Sequence, residues 1–420
     1  MSVAASRTAA ASDIVVDLPP TPDFDAYPLA HSVVGAVVTR ERRAVQVTWD
    51  DGLISDYHVY ALRENATEAD MMHSVTREQR VQLMELPDDL AMTAAEPDAA
   101  GGLCVRWSTG GVSGFHAGWL RAYAEGADDD PAALPNRVYW TAEFAPYLPR
   151  FDGPTLLTDA SAVDDWALAL HVHGVAIVQN LPSDPAMVEQ VPALIGPVRP
   201  TNFGQVFDVR SDKSAADTTS NAYTAMALPV HTDLCTREYK PGLQYLFCLQ
   251  NDADGGDSLL VDGLAIAAHL RQHDPEAFEA LSTIPFSYYN KATDTDFRWQ
   301  TPVFVLDDSG EVTEVRWSPW LRAPQRASIE TVDRAYRALR TAFRLAQQAE
   351  FTVRIRLAPG EMLCFDNRRM LHGRTGFDPA TGNRWLRGCY GEREDLQSRL
   401  RIAARKQRRM FPTNAGGLNC

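Results

Sequence analysis

The sequence predicts a mainly β fold with flanking helices (α+β), in which a small β-rich N-terminal domain precedes a larger sandwich or barrel. Three observations carry that expectation. The 420-residue chain is 45% hydrophobic, enough apolar surface for two cores rather than one. Apolar runs of strand length (GVAIVQNL, GLQYLFCLQ, FTVRIRLA, EMLCFDN) recur through the later part of the chain with long insertions between them, a pattern of sandwiches and barrels. Nearer the start lies an internal repeat, WDDGLISDYHVYALR at 49–63 and WSTGGVSGFHAGWLR at 107–121, which align without a gap.

Residues 1–32, with Pro19, Pro20, Pro22 and Pro28 after an Ala/Ser-rich start, read as a flexible tail. Residues 33–125 form the small domain. Each copy of the repeat reads as strand, tight turn, strand and short helical turn. Trp49 matches Trp107, Gly52 matches Gly110 and His58 matches His116. The two hairpins can pair into one small sheet over the tryptophans, with both histidines in packing roles. The acidic, proline-containing EGADDDPAALPNR at 125–137 marks a linker over 126–149. From 150 to 408 strands alternate with helices, among them AIAAHLRQHDPEAFEALSTI, where Pro275 separates two helical pieces. SRLRIAARKQRR at 398–409 reads as a helix with Leu400, Ile402 and Ala403 as its apolar stripe, and 409–420 as a closing tail.

The net charge of −15 argues against a nucleic-acid partner, which needs a clustered basic surface. No apolar run approaches the about 18–20 residues of a membrane span, and no secretory leader is visible. The six cysteines (104, 235, 248, 364, 389, 420) form no CxxC pair, so the expectation is free thiols, no disulfides and a cytoplasmic protein.

The chemistry is expected around HTDLC at 231–235. On a strand, residues i and i+2 share a face about 7 Å apart, so His231 and Asp233 can converge on one ion. LCFDNRRMLHGRTGF at 363–377 follows the turn signal PGE and runs as a strand toward His372. Two histidines and one carboxylate form the facial arrangement of non-haem Fe(II) oxygenases, which leaves positions open for a chelating cosubstrate and O₂. Asp233 also argues against a halogenase, in which that carboxylate gives way to a small residue. Arg384, twelve residues after His372, offers the guanidinium fork that suits a buried carboxylate, and Ser258 in GGDS can add a hydroxyl donor. Two rival histidine pairs, HVH at 171–173 with strand spacing and His269/His273 with helical spacing, lack a third ligand nominated by their local sequence.

From about residue 33 to 408 the chain resembles the gamma-butyrobetaine dioxygenase branch of the taurine dioxygenase-like, 2-oxoglutarate-dependent oxygenases. The resemblance is carried by NAYTAMALPVHTDLCTREYKPGLQYLFCLQ, GGDSLLVDG, PGEMLCFDNRRMLHGRTGF and NRWLRGCYGEREDLQSRLRI. It implies a double-stranded β-helix (jelly roll) holding Fe(II) through His231, Asp233 and His372, with Arg384 on the distal carboxylate of 2-oxoglutarate. It also implies a small N-terminal domain and a homodimer. The implied reaction hydroxylates an unactivated C–H of a small amine or quaternary-ammonium substrate and releases succinate and CO₂. The alternatives are desaturation or cyclisation of an amino-acid-like metabolite by the same chemistry, or a non-catalytic metal-binding β-barrel.

Two departures from the family pattern are visible. Members carry a cysteine cluster for structural zinc just after the first LR(D/E)N, whereas here Ala66, Glu68 and Met71 stand there, so structural zinc is not expected. In carnitine-forming members an aromatic cage surrounds the trimethylammonium, and the matching positions here are Phe203, Phe207, Tyr223 and Tyr390. The asparagines that hold the substrate carboxylate in those members fall on Ser220 and Trp320, which shortens the pocket and points to a different amine.

Overall fold

The structure is a computed structural model and describes residues 27, 29–73, 76, 78–126, 133–210 and 224–410, with side chains as far as 406. Contacts divide the chain into two compact units, 1–133 with 404–420 and 134–403.

In the first unit the order is β1 (Val33–Thr39), β2 (Ala44–Trp49), β3 (Ile54–His58), α1 (Val59–Glu64), β4 (Met92–Pro97), β5 (Leu103–Trp107), β6 (Val112–Phe115) and α2 (Ala117–Ala122). The repeat is longer than its sequence signature, because each hairpin takes its own preceding strand. The result is two three-stranded sheets, β1-β2-β3 and β4-β5-β6, rather than one sheet made of two hairpins. Side-chain bonds obey the same duplication. Trp49 Nε1 donates to Ser55 Oγ at 3.2 Å and Trp107 Nε1 to Ser113 Oγ at 2.7 Å. Arg121 lies 5.3 Å over the Trp49 ring, and its repeat mate Arg63 lies 5.4 Å over Trp107. The repeated histidines are caps, not core. His58 accepts from Tyr60 N and His116 Nδ1 accepts from Trp119 N, both at 3.3 Å, which satisfies open N–H groups of α1 and α2. Ala66 and Met71 are buried in this unit's core, and Glu68 pairs with Arg63 at 3.3 Å. Cys104 is disulfide-bonded, against the expectation of free thiols throughout; its partner lies outside the described residues. Cys235, Cys248, Cys364 and Cys389 are free and buried.

The second unit runs β7 (Arg150–Asp152), α3 (Gly153–Leu156), α4 (Ala160–His173), β8 (Val175–Gln179), α5 (Met187–Gln190), β9 (Val206–Arg210), β10 (Leu228–His231), β11 (Leu243–Asn251), β12 (Asp254–Gly255) and β13 (Ser258–Asp262). After these come α6 (Gly263–His273), α7 (Pro275–Thr283), β14 (Phe286–Lys291), β15 (Asp296–Thr301), β16 (Phe304–Leu306), β17 (Val312–Val315) and α8 (Ile329–Leu345). The chain closes with β18 (Val353–Ile355), β19 (Met362–Asp366), β20 (Met370–Arg374), β21 (Phe377–Asp378), β22 (Arg384–Gly391) and α9 (Arg393–Met410). The molecule is thus mixed α/β with many strands.

Two sheets dominate: a six-stranded one ordered β7-β8-β19-β11-β22-β9 and a four-stranded one ordered β10-β20-β13-β18. Their facing residues form a shared core, with Val175, Ile177, Leu246, Phe365 and Leu386 from the first and Leu260, Val353 and Met370 from the second. Period-2 alternation sends the intervening side chains outward. Val261 and Leu371 pack under α6, α7 and α8, while Tyr245, Phe247 and Cys364 pack under α4 and α9. Pro275 opens α7, whose cap Asp274 also closes α6, so the break at the proline is as expected. α4 ends at Gly174 with φ 74°, where a Cβ would come within 2.8 Å of Arg369 Cδ. In α9, Leu400 and Ala403 are buried, but Ile402 is 38% exposed and so off the expected stripe. HVH at 171–173 is the last turn of α4 and not a strand.

Candidate active site

His231 ends β10 and pairs in register with His372 of β20, so both imidazoles issue from one face of the four-stranded sheet. Their ring centroids are 4.4 Å apart. Asp233 is not on the strand. It sits in the turn after β10, and its Oδ1 comes to 3.1 Å from His231 Nε2 and 3.8 Å from His372 Nε2. Leu234, with φ 58°, follows directly. The route to His372 is likewise not one strand. β19 lies in the six-stranded sheet and β20 in the four-stranded one, and residues 367–369 carry the chain across.

The three ligand atoms lie within 4.8 Å of one another, and their surroundings suit a divalent metal. His231 Nδ1 is 2.9 Å from Pro229 O. Because a carbonyl only accepts, Nδ1 carries the proton and Nε2 is left as the donor toward a cation. Burial, with His231 alongside, pushes His372 down to about 3, so this imidazole is neutral at ordinary pH. Burial alone would raise the Asp233 carboxyl, but the two histidines and the Tyr390 hydroxyl outweigh it and hold the group well below the usual range. Two imidazoles and a carboxylate could hold ferrous iron.

Arg384, at the start of β22, is 5% exposed. Its Nε donates to Gly256 O at 3.1 Å, and Gly256, at φ 73°, leaves no room there for a Cβ, which would lie 2.9 Å from Arg384 Cδ. Burial pulls the guanidinium down to about 10. The nearby carboxylate of Asp257 is taken by Arg354 and Arg356, and among the described residues no acid pairs with Arg384. A buried guanidinium without a counter-charge could hold the distal carboxylate of 2-oxoglutarate. Ser258, two residues beyond Gly256, is buried and pairs in register with Arg374. It shares the inner face of β13 with Leu260, the register partner of His372.

A cleft opens on His231 and Asp233. Phe203, Phe207, Trp320 and Tyr390 line it together with His231 and Asp233. Phe207 stacks on Tyr390 at 5.2 Å and faces Phe203 at 6.4 Å, while Trp320 lies 4.9 Å from His231. Ser220 and Tyr223 lie outside the described residues. Sequence reading missed Asn202, Thr236, Asn290, Phe297 and Ser318 in the same lining. Asn290 and Phe297 are register partners on the β14–β15 hairpin, which the turn-rich NKATDTD could have announced. It also gave no role to Asn367, buried behind Asp233. Of the rival pairs, His171 bonds Pro135 O at 2.9 Å, and His269 and His273 stack at 4.3 Å on α6, neither forming a group of three ligands among the described residues.

Residues 130–390 match the family described as "Taurine catabolism dioxygenase TauD, TfdA family", and residues 37–121 match "Gamma-butyrobetaine hydroxylase-like, N-terminal". The chain is 39% identical to a gamma-butyrobetaine dioxygenase of Pseudomonas sp. (strain AK-1), over 91% of this chain and 99% of that one. It is 30% identical to a trimethyllysine dioxygenase of Meyerozyma guilliermondii, over 86% and 93%. Among solved structures, an asparagine oxygenase with Fe(II), 3-hydroxyasparagine and succinate aligns at TM-score 0.44 and 19% identity, over 59% of this chain and 93% of that one. The chain belongs to the TauD, TfdA family, in its gamma-butyrobetaine dioxygenase-like branch, and is a non-haem dioxygenase that works with iron and 2-oxoglutarate.

Proposed function

We propose that the protein hydroxylates an unactivated C–H bond of a small quaternary-ammonium, betaine-like substrate. One oxygen atom of O₂ enters the new C–OH, and 2-oxoglutarate leaves as succinate and CO₂. In this reading His231, Asp233 and His372 hold the iron, and Arg384 with Ser258 holds the cosubstrate. The iron supplies the oxidising chemistry when bound. This chain's residues place the two organic molecules and keep water away.

The observation that carries the reading is the lining of the cleft. Phe203, Phe207 and Tyr390 line it, and among the described residues of that lining the only acid is Asp233. A quaternary ammonium has no N–H to donate, so ring faces attract it by about 0.5–2 kcal/mol each, whereas a primary amine calls for a carboxylate partner. Tyr223 joins the cage in this proposal, and Ser220 and Trp320 stand at the substrate's anionic end. Trp320 closes on His231, which favours a shorter molecule than an amide at that position would admit.

The two-sheet core is the double-stranded β-helix of an oxygenase domain over 150–408. The preceding strands form a small β-rich domain over 33–125, and 126–149 joins the two. The resemblance further supports a homodimer in the cytoplasm, the first of which light scattering tests. No described helix is long and apolar enough to cross a membrane.

The direct experiment measures succinate formed from 2-oxoglutarate with Fe(II), ascorbate and a panel of trimethylated and primary amines. Stimulation by a trimethylated amine with a hydroxylated product supports the reading. A product two hydrogens lighter assigns desaturation or ring closure instead, and tight 2-oxoglutarate binding with no turnover on any amine assigns a non-catalytic binder.

A further inference from the structure

Asp233 is the one member of the triad that no strand carries, so its aim must come from elsewhere. Two side chains supply it. Asn367, fully buried at the crossing between β19 and β20, grips the main chain of the aspartate. Its Oδ1 accepts from Asp233 N at 2.8 Å, and its Nδ2 donates to Asp233 O at 3.2 Å and to Pro241 O at 3.1 Å. The left-handed Leu234 follows immediately, a conformation that a branched side chain keeps only when its surroundings impose it. The second residue acts on the carboxylate itself. Tyr390 donates its hydroxyl to Asp233 Oδ2 at 2.8 Å, and the oxygen left facing both imidazoles is Oδ1, at 3.1 and 3.8 Å.

We propose that Tyr390 and Asn367 are the positioning residues of the metal-binding carboxylate: Asn367 fixes the backbone on which it rides, and Tyr390 engages Oδ2 so that only Oδ1 is presented. The inference rests on the iron site proposed above. A carboxylate with both oxygens unengaged can turn either one, or both, toward a cation, and a second bound oxygen would fill a position that the cosubstrate and O₂ need. The phenol removes that freedom. Asn367 works differently, since it ties the turn after β10 to the chain that reaches His372 five residues later. Loss of the triad's register is then the consequence of losing its amide. Tyr390 has a further property, because its ring lines the cleft and stacks on Phe207 at 5.2 Å while its hydroxyl sits on the metal-ligand aspartate. One side chain thereby spans the substrate cleft and the metal site.

The test is anaerobic titration of the metal-free protein with Co(II), whose visible d–d bands report coordination. Wild type, Tyr390→Phe, Asn367→Ala and His372→Ala are compared, with thermal unfolding of each metal-free protein alongside. Wild type is expected to bind one equivalent. Tyr390→Phe is expected to unfold within a few degrees of wild type, to bind Co(II) about 10-fold more weakly and to show altered bands; Asn367→Ala is expected to lose about 10–100-fold. Wild-type affinity together with a wild-type spectrum in Tyr390→Phe overturns the proposal. Should Asn367→Ala fail to fold, Tyr390→Phe, which removes a single oxygen atom, decides alone. Wild-type binding by His372→Ala refutes the iron site itself, and so separates that failure from this one.

Discussion

Arg369 and Asp262 form a two-pronged ion pair inside the second unit, Nε to Oδ1 at 3.0 Å and Nη2 to Oδ2 at 2.7 Å, with neither residue exposed. Both side chains have further partners. Asp262 accepts from Leu264 N, capping α6, and from Trp140 N, while Arg369 donates to Val172 O and Val138 O. The pair therefore joins the end of β13 to the start of β20, directly behind the strand that carries His372. Removing one partner strands a buried charge, so Asp262→Asn or Arg369→Met should lower unfolding free energy by about 3–5 kcal/mol, measured by denaturant titration. A loss under about 1 kcal/mol would place the pair in a wetter setting than its geometry implies.

Arg384→Ala should raise the Michaelis constant for 2-oxoglutarate by about 10–100-fold, the equivalent of losing a charge-assisted double hydrogen bond, with little effect on amine binding. An unchanged constant would move the role to Arg374, which is also buried on an inner face. Arg387 is the poorer substitute, because its Nε lies toward Asp208 at 3.9 Å, on the other face of β22.

Phe207→Ala should weaken a quaternary ammonium by about 0.5–2 kcal/mol and leave 2-oxoglutarate affinity unchanged in calorimetric titrations. Equal effects on both ligands would mean that Phe207 only packs, a role open to it because it also contacts the inter-sheet core.

Lys240 gives a pH dependence with a defined sign. Its Nζ is fully buried and donates to Val315 O at 2.6 Å. Burial pulls it down to about 8 from 10.5, with Glu314 opposing. Below pH 8 the ammonium is charged both folded and unfolded, and the penalty for burying it is fully present. Between 8 and 10.5 the unfolded chain holds more protons, so stability contributed by this residue rises with pH. Relative to Lys240→Met, wild type should gain on the order of 3 kcal/mol across that window. Cys248, pushed up to about 12, acts in the opposite direction but is common to both proteins and cancels. A constant difference between the two proteins from pH 7 to 10 would rule the effect out.

The sequence made particular parts of this molecule readable for physical reasons. Strands buried on both sides are uninterrupted apolar runs, so β8, β11 and β19 were visible, and Pro275 announced the break between α6 and α7. His231 and His372, which the fold brings together with Asp233, could be nominated because metal-ligand chemistry restricts residue type. Their true geometry was hidden, since nothing in HTDLC says that the strand stops at His231 and turns Asp233 back toward it. That turn depends on Asn367, well over a hundred residues away, and long-range clamps leave no local pattern. His58 and His116 were misread for a related reason: a ring beside aromatics looks like core, whereas capping depends on where the helix starts. The polar cleft residues Asn202 and Asn290 come from a loop and from the turn end of a hairpin, where a polar residue is ordinary and does not mark a lining.

The central claim, that His231, Asp233 and His372 together make one ferrous site, is tested most directly by anaerobic Fe(II) titration in the presence of 2-oxoglutarate, following the visible charge-transfer absorption of the chelate. Wild type should develop the band with one equivalent of iron, and His231→Ala, Asp233→Ala and His372→Ala should each abolish it together with succinate release. A full band in any one of the three variants would contradict the site.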